Sequence, residues 1–178
     1  MIRPILHYPD PRLRQAAEPV AQVDDDVRKL VDDMAETMYA APGVGLAAPQ
    51  IGEGKRIFIM DVAKEDEPSD LRVFINPEIV ERHGEIAWEE GCLSFPGARE
   101  EITRAERIRV RALDRDGKTF EMVFEGLAAV AVQHENDHLD GKLMIDHLSL
   151  IRRRLLHREM SKIAASKRRE TKDDVAAE

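Results

Sequence analysis

Three residues in the last third of the chain, His134, Glu135 and His138, have the types and spacing for metal-assisted hydrolysis. On a helix His134 and His138 lie one turn apart on the same face, so two imidazoles can grip one divalent cation. Glu135, beside the first histidine, is then placed to take a proton from a water that the metal has acidified. A histidine in a helix is ordinarily a satisfied side chain with no chemistry to do. Here the run from Leu127 to Gln133 is apolar on most sides, so the helix is expected to be buried. Two histidines and two acidic residues then need partners that justify their burial.

A catalytic site of this kind takes three protein ligands and leaves one position open. The protease pattern H-E-x-x-H-x-x-G-x-x-H is followed as far as Gly141 and fails at Met144, which excludes that class. Glu159 lies at a spacing that allows a glutamate-ligated zinc peptidase, although its surroundings, Leu156-His157-Arg158-Glu159-Met160, look like those of a surface ion pair. Cys92 is the single cysteine. It sits in Glu89-Glu90-Gly91-Cys92-Leu93-Ser94-Phe95-Pro96-Gly97, read as a glycine- and proline-bounded loop able to meet the helix. A thiolate is a strong ligand for iron or zinc, whereas a free cysteine is otherwise a small buried hydrophobe. Spacing alone leaves Cys92 and Glu159 both open.

The elements that must position these groups follow from periodicity. Asp10-Pro11 caps and starts a short helix. Val27, Leu30, Val31, Met34 and Met38 recur at helical spacing, which predicts a helix from Asp25 to Ala41 that Pro42 and Gly43 stop. Residues 56–60 and 71–75 are short apolar strands, and residues 64–70, acidic with Pro68, form an exposed loop. Residues 102–113 and 119–124 are strands split by the turn Asp114-Arg115-Asp116-Gly117. The buried helix from Leu127 ends at Gly141. A last helix from Ser149 carries Ile151, Leu155, Leu156 and Met160 on one face and is expected to fray after Lys167. Strands followed by helices in one small unit predict an α+β fold.

Composition bounds the rest. The chain has 178 residues, 43% hydrophobic and 35% charged, as expected for one compact domain. It has no apolar run long enough to span a bilayer, and its first residues lack the layout of a secretory signal, so a cytoplasmic location is expected. One cysteine allows no internal disulfide. A net charge of −8 argues against wrapping nucleic acid. Residues 151–178, however, hold nine Lys/Arg against five Asp/Glu, and such a basic end can meet a polyanion or simply be a solvated helix.

Three segments together resemble one family. Gly43-Val44-Gly45-Leu46-Ala47-Ala48-Pro49-Gln50, Glu90-Gly91-Cys92-Leu93-Ser94 and Gln133-His134-Glu135-Asn136-Asp137-His138-Leu139 are similar in content, order and spacing to the signature motifs of peptide deformylases, and the likeness extends to Pro9-Asp10-Pro11. It covers roughly residues 1–150. The resemblance implies removal of the formyl group from the N-terminal formyl-methionine of newly made proteins of the bacterial or organellar kind, with release of formate. It implies Cys92, His134 and His138 as metal ligands and Glu135 as general acid/base, a metal-bound water being the nucleophile. The metal would be Fe²⁺, with Zn²⁺, Ni²⁺ or Co²⁺ as substitutes. Gln50 and the backbone N–H of Leu93 would stabilise the oxyanion.

By the same resemblance, Val44, Leu127, Val130, Ala131 and the ring of His134 would line the methionine pocket. The family often has isoleucine where Val44 stands. The peptide would pair with main chain at Gly45 and Gly91, and Trp88 and Arg99 are candidates for the pocket mouth. Asp137 is expected to pair with Arg104 behind the ligands. The expected arrangement is a set of small antiparallel or mixed sheets around a central buried helix with the H-E-x-x-H residues, plus an N-terminal and a C-terminal helix. It forms one domain over residues 1–178, with 1–150 as its core and 151–178 as helix and tail. The expected partners are formyl-methionyl nascent chains and, through Arg152-Arg153-Arg154 and Lys167-Arg168-Arg169, the ribosome near its exit tunnel; membrane and DNA are not expected.

Overall fold

A computed structural model describes residues 1–176, with side chains described through residue 169. Five strands, β1 (Gly45–Ala47), β2 (Ile57–Met60), β3 (Arg72–His83), β6 (Arg107–Leu113) and β7 (Thr119–Glu125), form one antiparallel sheet in that order. A separate hairpin joins β4 (Ile86–Cys92) to β5 (Phe95–Arg104). Three helices complete the α+β fold: α1 (Asp25–Ala40), α2 (Gly126–Leu139) and α3 (Leu150–Ala176).

Helix α2 runs between the sheet and the hairpin. Ala129 and Val132 pack with Phe58, Phe74, Ile108, Val110 and Phe124 of the sheet. Phe58 and Phe74 stack at 4.5 Å between centroids, and each such buried side chain stabilises the fold by about 1.5–3 kcal/mol. On β6 the alternation is clean: Ile108, Val110 and Ala112 point to this core, while Arg107, Arg109 and Arg111 pair with Glu125, Glu81 and Glu121 on the outer face. Helix α1 buries the stripe foreseen from its periodicity against Leu46, Ile57 and Ile59. Asp24 is its cap, accepting from Val27 N at 2.9 Å. Helix α3 docks through Leu156 and Met160 onto Leu13, Phe95 and Ile145.

Four expectations are corrected. Residues 89–97 are not a loop: β4 continues to Cys92, a two-residue turn follows, and β5 begins at Phe95. The stretch 102–113 is two strands in different sheets. The break comes at Ala105, whose N–H and carbonyl are both held by the Gln133 side chain, at 3.1 and 2.8 Å. Strand β3 extends past residue 75 to His83 because its polar half pairs with the arginines of β6. Helix α3 continues beyond Lys167 to Ala176, in a stretch free of glycine and proline and rich in helix formers. The acidic segment 64–70 is an exposed loop as expected.

The end of α2 determines how the turn that carries His138 is held. Gly141 adopts φ +68°, and Gly141 N and Lys142 N return to the carbonyls of His138 and Asp137, at 3.2 and 2.9 Å, closing a Schellman motif. A Cβ at Gly141 would run into the backbone carbonyl of Arg14. Gly141→Ala is therefore expected to cost about 2 kcal/mol or more and to lower the thermal midpoint by about 4 °C or more, read by scanning calorimetry.

Candidate active site and metal centre

The buried face of α2 presents His134 and His138 to the end of β4. Their rings lie 5.1 Å apart, and Cys92 Sγ is 3.5 Å from His138 Nε2. One donor atom from each of Cys92, His134 and His138 lies within 4.8 Å of the other two, and among the described residues this is the one such cluster found. The donor set suits a single divalent ion: a thiolate and two imidazoles, with an open side toward the cleft. Two observations support the fit. Among the described residues Glu135 Oε2 is buried without a hydrogen-bond partner. Burial alone would lower the proton affinity of His134, yet the Cys92 sulfur, Glu90 and Glu135 outweigh it and raise its pKa well above the usual value. A field that holds a proton so firmly also favours a metal cation. At His138, burial and the charge of His134 push the pKa well down, so its ring is neutral as a ligand must be. Glu159 is elsewhere, on α3, with its carboxylate 3.9 Å from Arg152, which removes it as third ligand.

Behind Cys92, His134 and His138 lies a chain of charges. His134 Nδ1 donates to Glu90 Oε1 at 2.8 Å. Glu90 is buried, but His134 and Arg104 hold its carboxyl below its ordinary range, so it is ionised and can only accept. Arg104 grips it with two hydrogen bonds, at 2.6 and 3.0 Å, and reaches Asp137 at 2.9 Å. His147 meets the same Asp137 oxygen at 2.8 Å. Burial opposes ionisation of Asp137, yet His147 and Arg104 bring its carboxyl down to about 2. The Asp137–Arg104 pair expected from the sequence is present. Glu90, Ser94 and His147 had no assigned part. The signal for Glu90 was strand alternation counted back from Cys92, invisible while the segment was read as a loop.

Toward the cleft, Glu135 is buried, and loss of hydration raises its carboxyl to about 7. Gly45 passes so close that a Cβ there would lie 2.5 Å from Glu135 Oε1. Gln50 is pinned: its carbonyl accepts from Ala47 N at 2.9 Å, and its amide nitrogen faces Ser94 Oγ at 3.1 Å and Cys92 Sγ at 3.6 Å. Leu93 lies in the turn after Cys92 and lines the cleft, a cavity of about 350 Å³ that also includes Gly43, Gly45, Gly91, Arg99 and Glu135. An adjoining pocket of about 130 Å³ brings together Val44, Leu127, Val130, Ala131 and His134, with Trp88 and Arg99. The expected ligands, Glu135, Leu93 and the expected pocket residues thus face the metal cluster or one of two adjoining hollows, Gln50 reaches Cys92 from the buried side, and Asp137 lies behind with Arg104.

The charge chain makes a separable prediction. Asp137→Asn should lower stability by about 2–3 kcal/mol in urea titrations, because Arg104 loses a buried partner, while metal still binds stoichiometrically. Glu90→Gln should instead weaken metal affinity about 10–100-fold in competition with a chelator. No change in stability for the first variant would remove Asp137 as an anchor.

Comparison with known proteins bears on the whole assembly. The sequence model of the polypeptide deformylase family matches residues 2–154. A peptide deformylase of Alkalilimnicola ehrlichii is 58% identical over 159 residues, 89% of each chain. One from Acidobacterium capsulatum is 52% identical over 92% of this chain and 96% of its own. The crystal structure of a Legionella pneumophila peptide deformylase superposes with a TM-score of 0.88 at 48% identity, covering 95% of this chain and 99% of that one. An Ehrlichia chaffeensis peptide deformylase solved with actinonin gives a TM-score of 0.86 at 40% identity, over 90% and 96%. Fold, family model and sequence identity thus agree over nearly the whole described length: the chain belongs to the polypeptide deformylase family.

Proposed function

We propose that this chain hydrolyses the formamide of N-formyl-methionyl polypeptides, releasing formate and a free amino terminus. The observation that carries the reading is the meeting of Cys92, His134 and His138 beside the buried carboxyl of Glu135, in a cleft with one small apolar side pocket. Peptide deformylases are metalloenzymes, and Cys92, His134 and His138 are the residues that would hold the ion. Thiolate and imidazole donors favour Fe²⁺, our proposed metal, or Zn²⁺, Ni²⁺ or Co²⁺ over Mg²⁺ and Ca²⁺. When bound, such an ion polarises the formyl carbonyl and acidifies water.

The chain's own groups supply the rest. Glu135, with its carboxyl near neutrality, accepts the proton of the attacking water and passes it to the amine nitrogen as the C–N bond breaks. The Gln50 amide, fixed by Ala47 and Ser94, donates to the developing oxyanion, and Leu93 N–H is the second donor. One such donor is worth about 2.7–4 kcal/mol. Gly45 lies on β1 and Gly91 on β4, both edge strands that flank the cleft. Their unpaired edges suit an extended peptide entering as an added strand. The methionine side chain goes to the pocket of Val44, Leu127, Val130 and Ala131.

No helix among the described residues is long and apolar enough to cross a membrane, and a cytoplasmic site of action, where nascent chains emerge, is part of this proposal. Ribosome docking through the basic face of α3 is its outer reach. Arg152 is bound to Glu100 at 2.8 and 3.0 Å and Arg153 to the Asp146 carbonyl at 2.8 Å, so part of that charge is spent within the molecule. Arg154 and Arg158 are exposed.

Iron-, nickel- or cobalt-loaded protein should release formate from formyl-Met peptides, and no turnover with any of the three would defeat the reading. Cys92→Ser should lose the metal, whereas Glu135→Gln should keep it and lose about 10²–10⁴ in kcat. Full activity in Cys92→Ser would refute the ligand set. Ribosome co-sedimentation should weaken with salt and fall in an Arg154→Glu/Arg158→Glu variant, which spares the buried Leu156 and Met160. Binding unaltered by both would dispose of docking through this face.

A further inference from the structure

Trp88 is the only tryptophan of the chain, and β4 sets it on the side of the strand that carries the chemistry. Side chains alternate along a strand, so Trp88, Glu90 and Cys92 share a face at about 6.5 Å per step. Cys92 meets His138 and Glu90 meets His134; Trp88 is next in that row. It lines the 130 Å³ pocket together with the α2 residues Leu127, Val130 and Ala131. Among the described residues no ring stacks on it and no cation covers it, and it is 37% exposed.

The pocket's size and its walls answer different questions. At about 130 Å³ and with mostly apolar walls, the pocket suits one small unbranched side chain and not a bulky one. Aliphatic walls such as Val44, Leu127 and Val130 select for length and shape, and cannot tell a sulfur from the methylene that replaces it. An aromatic ring can, because a polarisable thioether is drawn to it by about 0.3–1.5 kcal/mol. Two aromatic rings are in this lining, and since the His134 imidazole is committed to Glu90 and the metal cluster, the indole of Trp88 is the one left to meet a side chain.

We propose that Trp88 is a specificity-determining residue: its indole contacts the thioether of the bound N-terminal methionine and makes the site prefer it to a hydrocarbon side chain of equal length. This rests on the formyl-methionine reading above. The expected preference is roughly two- to tenfold in kcat/KM.

The test compares formyl-methionyl-alanyl-serine with formyl-norleucyl-alanyl-serine on the metal-loaded enzyme. The native chain should favour the methionyl peptide within that range, Trp88→Leu should bring the ratio near one, and Trp88→Phe should keep it above one. A ratio near one in the native chain, or a ratio unchanged in Trp88→Leu, overturns the proposal. A second readout needs no turnover: the emission of this lone indole, titrated with unformylated methionyl- and norleucyl-alanyl-serine, should respond saturably and more strongly to the methionyl peptide. An indifferent emission overturns the proposal. Absence of formate from both substrates together with that stronger methionyl response would defeat the deformylase reading and still support Trp88 as the reader of the thioether.

Discussion

A buried carboxylate cannot be left alone, and most of this structure can be traced to how Glu90 is compensated. Sealed from water, it needs hydrogen bonds from charged donors, and it has three: two from Arg104 and one from His134. Arg104 in turn is buried and needs a second anion, found in Asp137. Those contacts tie β4, β5 and α2 together. They leave α2 one rotation, the one in which both histidines face Cys92. Apolar residues of the same volume would hold the elements together as well; the ionic network adds orientation, because it is satisfied in one geometry.

The same burial logic divides the roles of the acids. Glu90 and Asp137 are surrounded by cations and stay ionised. Glu135, one residue from His134 on the same helix, has no cation hydrogen-bonded to it among the described residues; the charges of His134 and Arg104 draw it down, but desolvation outweighs them and raises it toward neutrality. Two acids on one helix, Asp137 and Glu135, are thus separated into a fixed anion and a carboxyl that titrates near neutrality by which side of α2 they occupy.

How much of this could be read from the sequence depended on what stabilises each element. Helix α1 is held by its own apolar stripe and an aspartate cap, and both are visible as spacing. Helix α2 was legible because a hydrophobic run interrupted by histidines is chemically conspicuous. Strand β4, Ile86-Ala87-Trp88-Glu89-Glu90-Gly91-Cys92, gave no such signal: the residues that point inward serve the site, so its alternation is of function and not of hydropathy. The break at Ala105 was equally hidden, since it is made by a glutamine 28 residues later. Half of β3 is polar and is held by arginines on a strand that the sequence alone does not pair with it. The site residues were recovered through motif resemblance; the network behind them required the hairpin.

The closeness of Gly45 to Glu135 has an evolutionary meaning. Every other amino acid carries a Cβ, and at this position that atom would press on the carboxylate at 2.5 Å. A substitution at position 45 therefore has to displace the Glu135 side chain, whereas Val44 and Trp88 in the pocket wall, both partly exposed, leave room for other side chains. A lineage can retune what the enzyme admits far more freely than how it reacts.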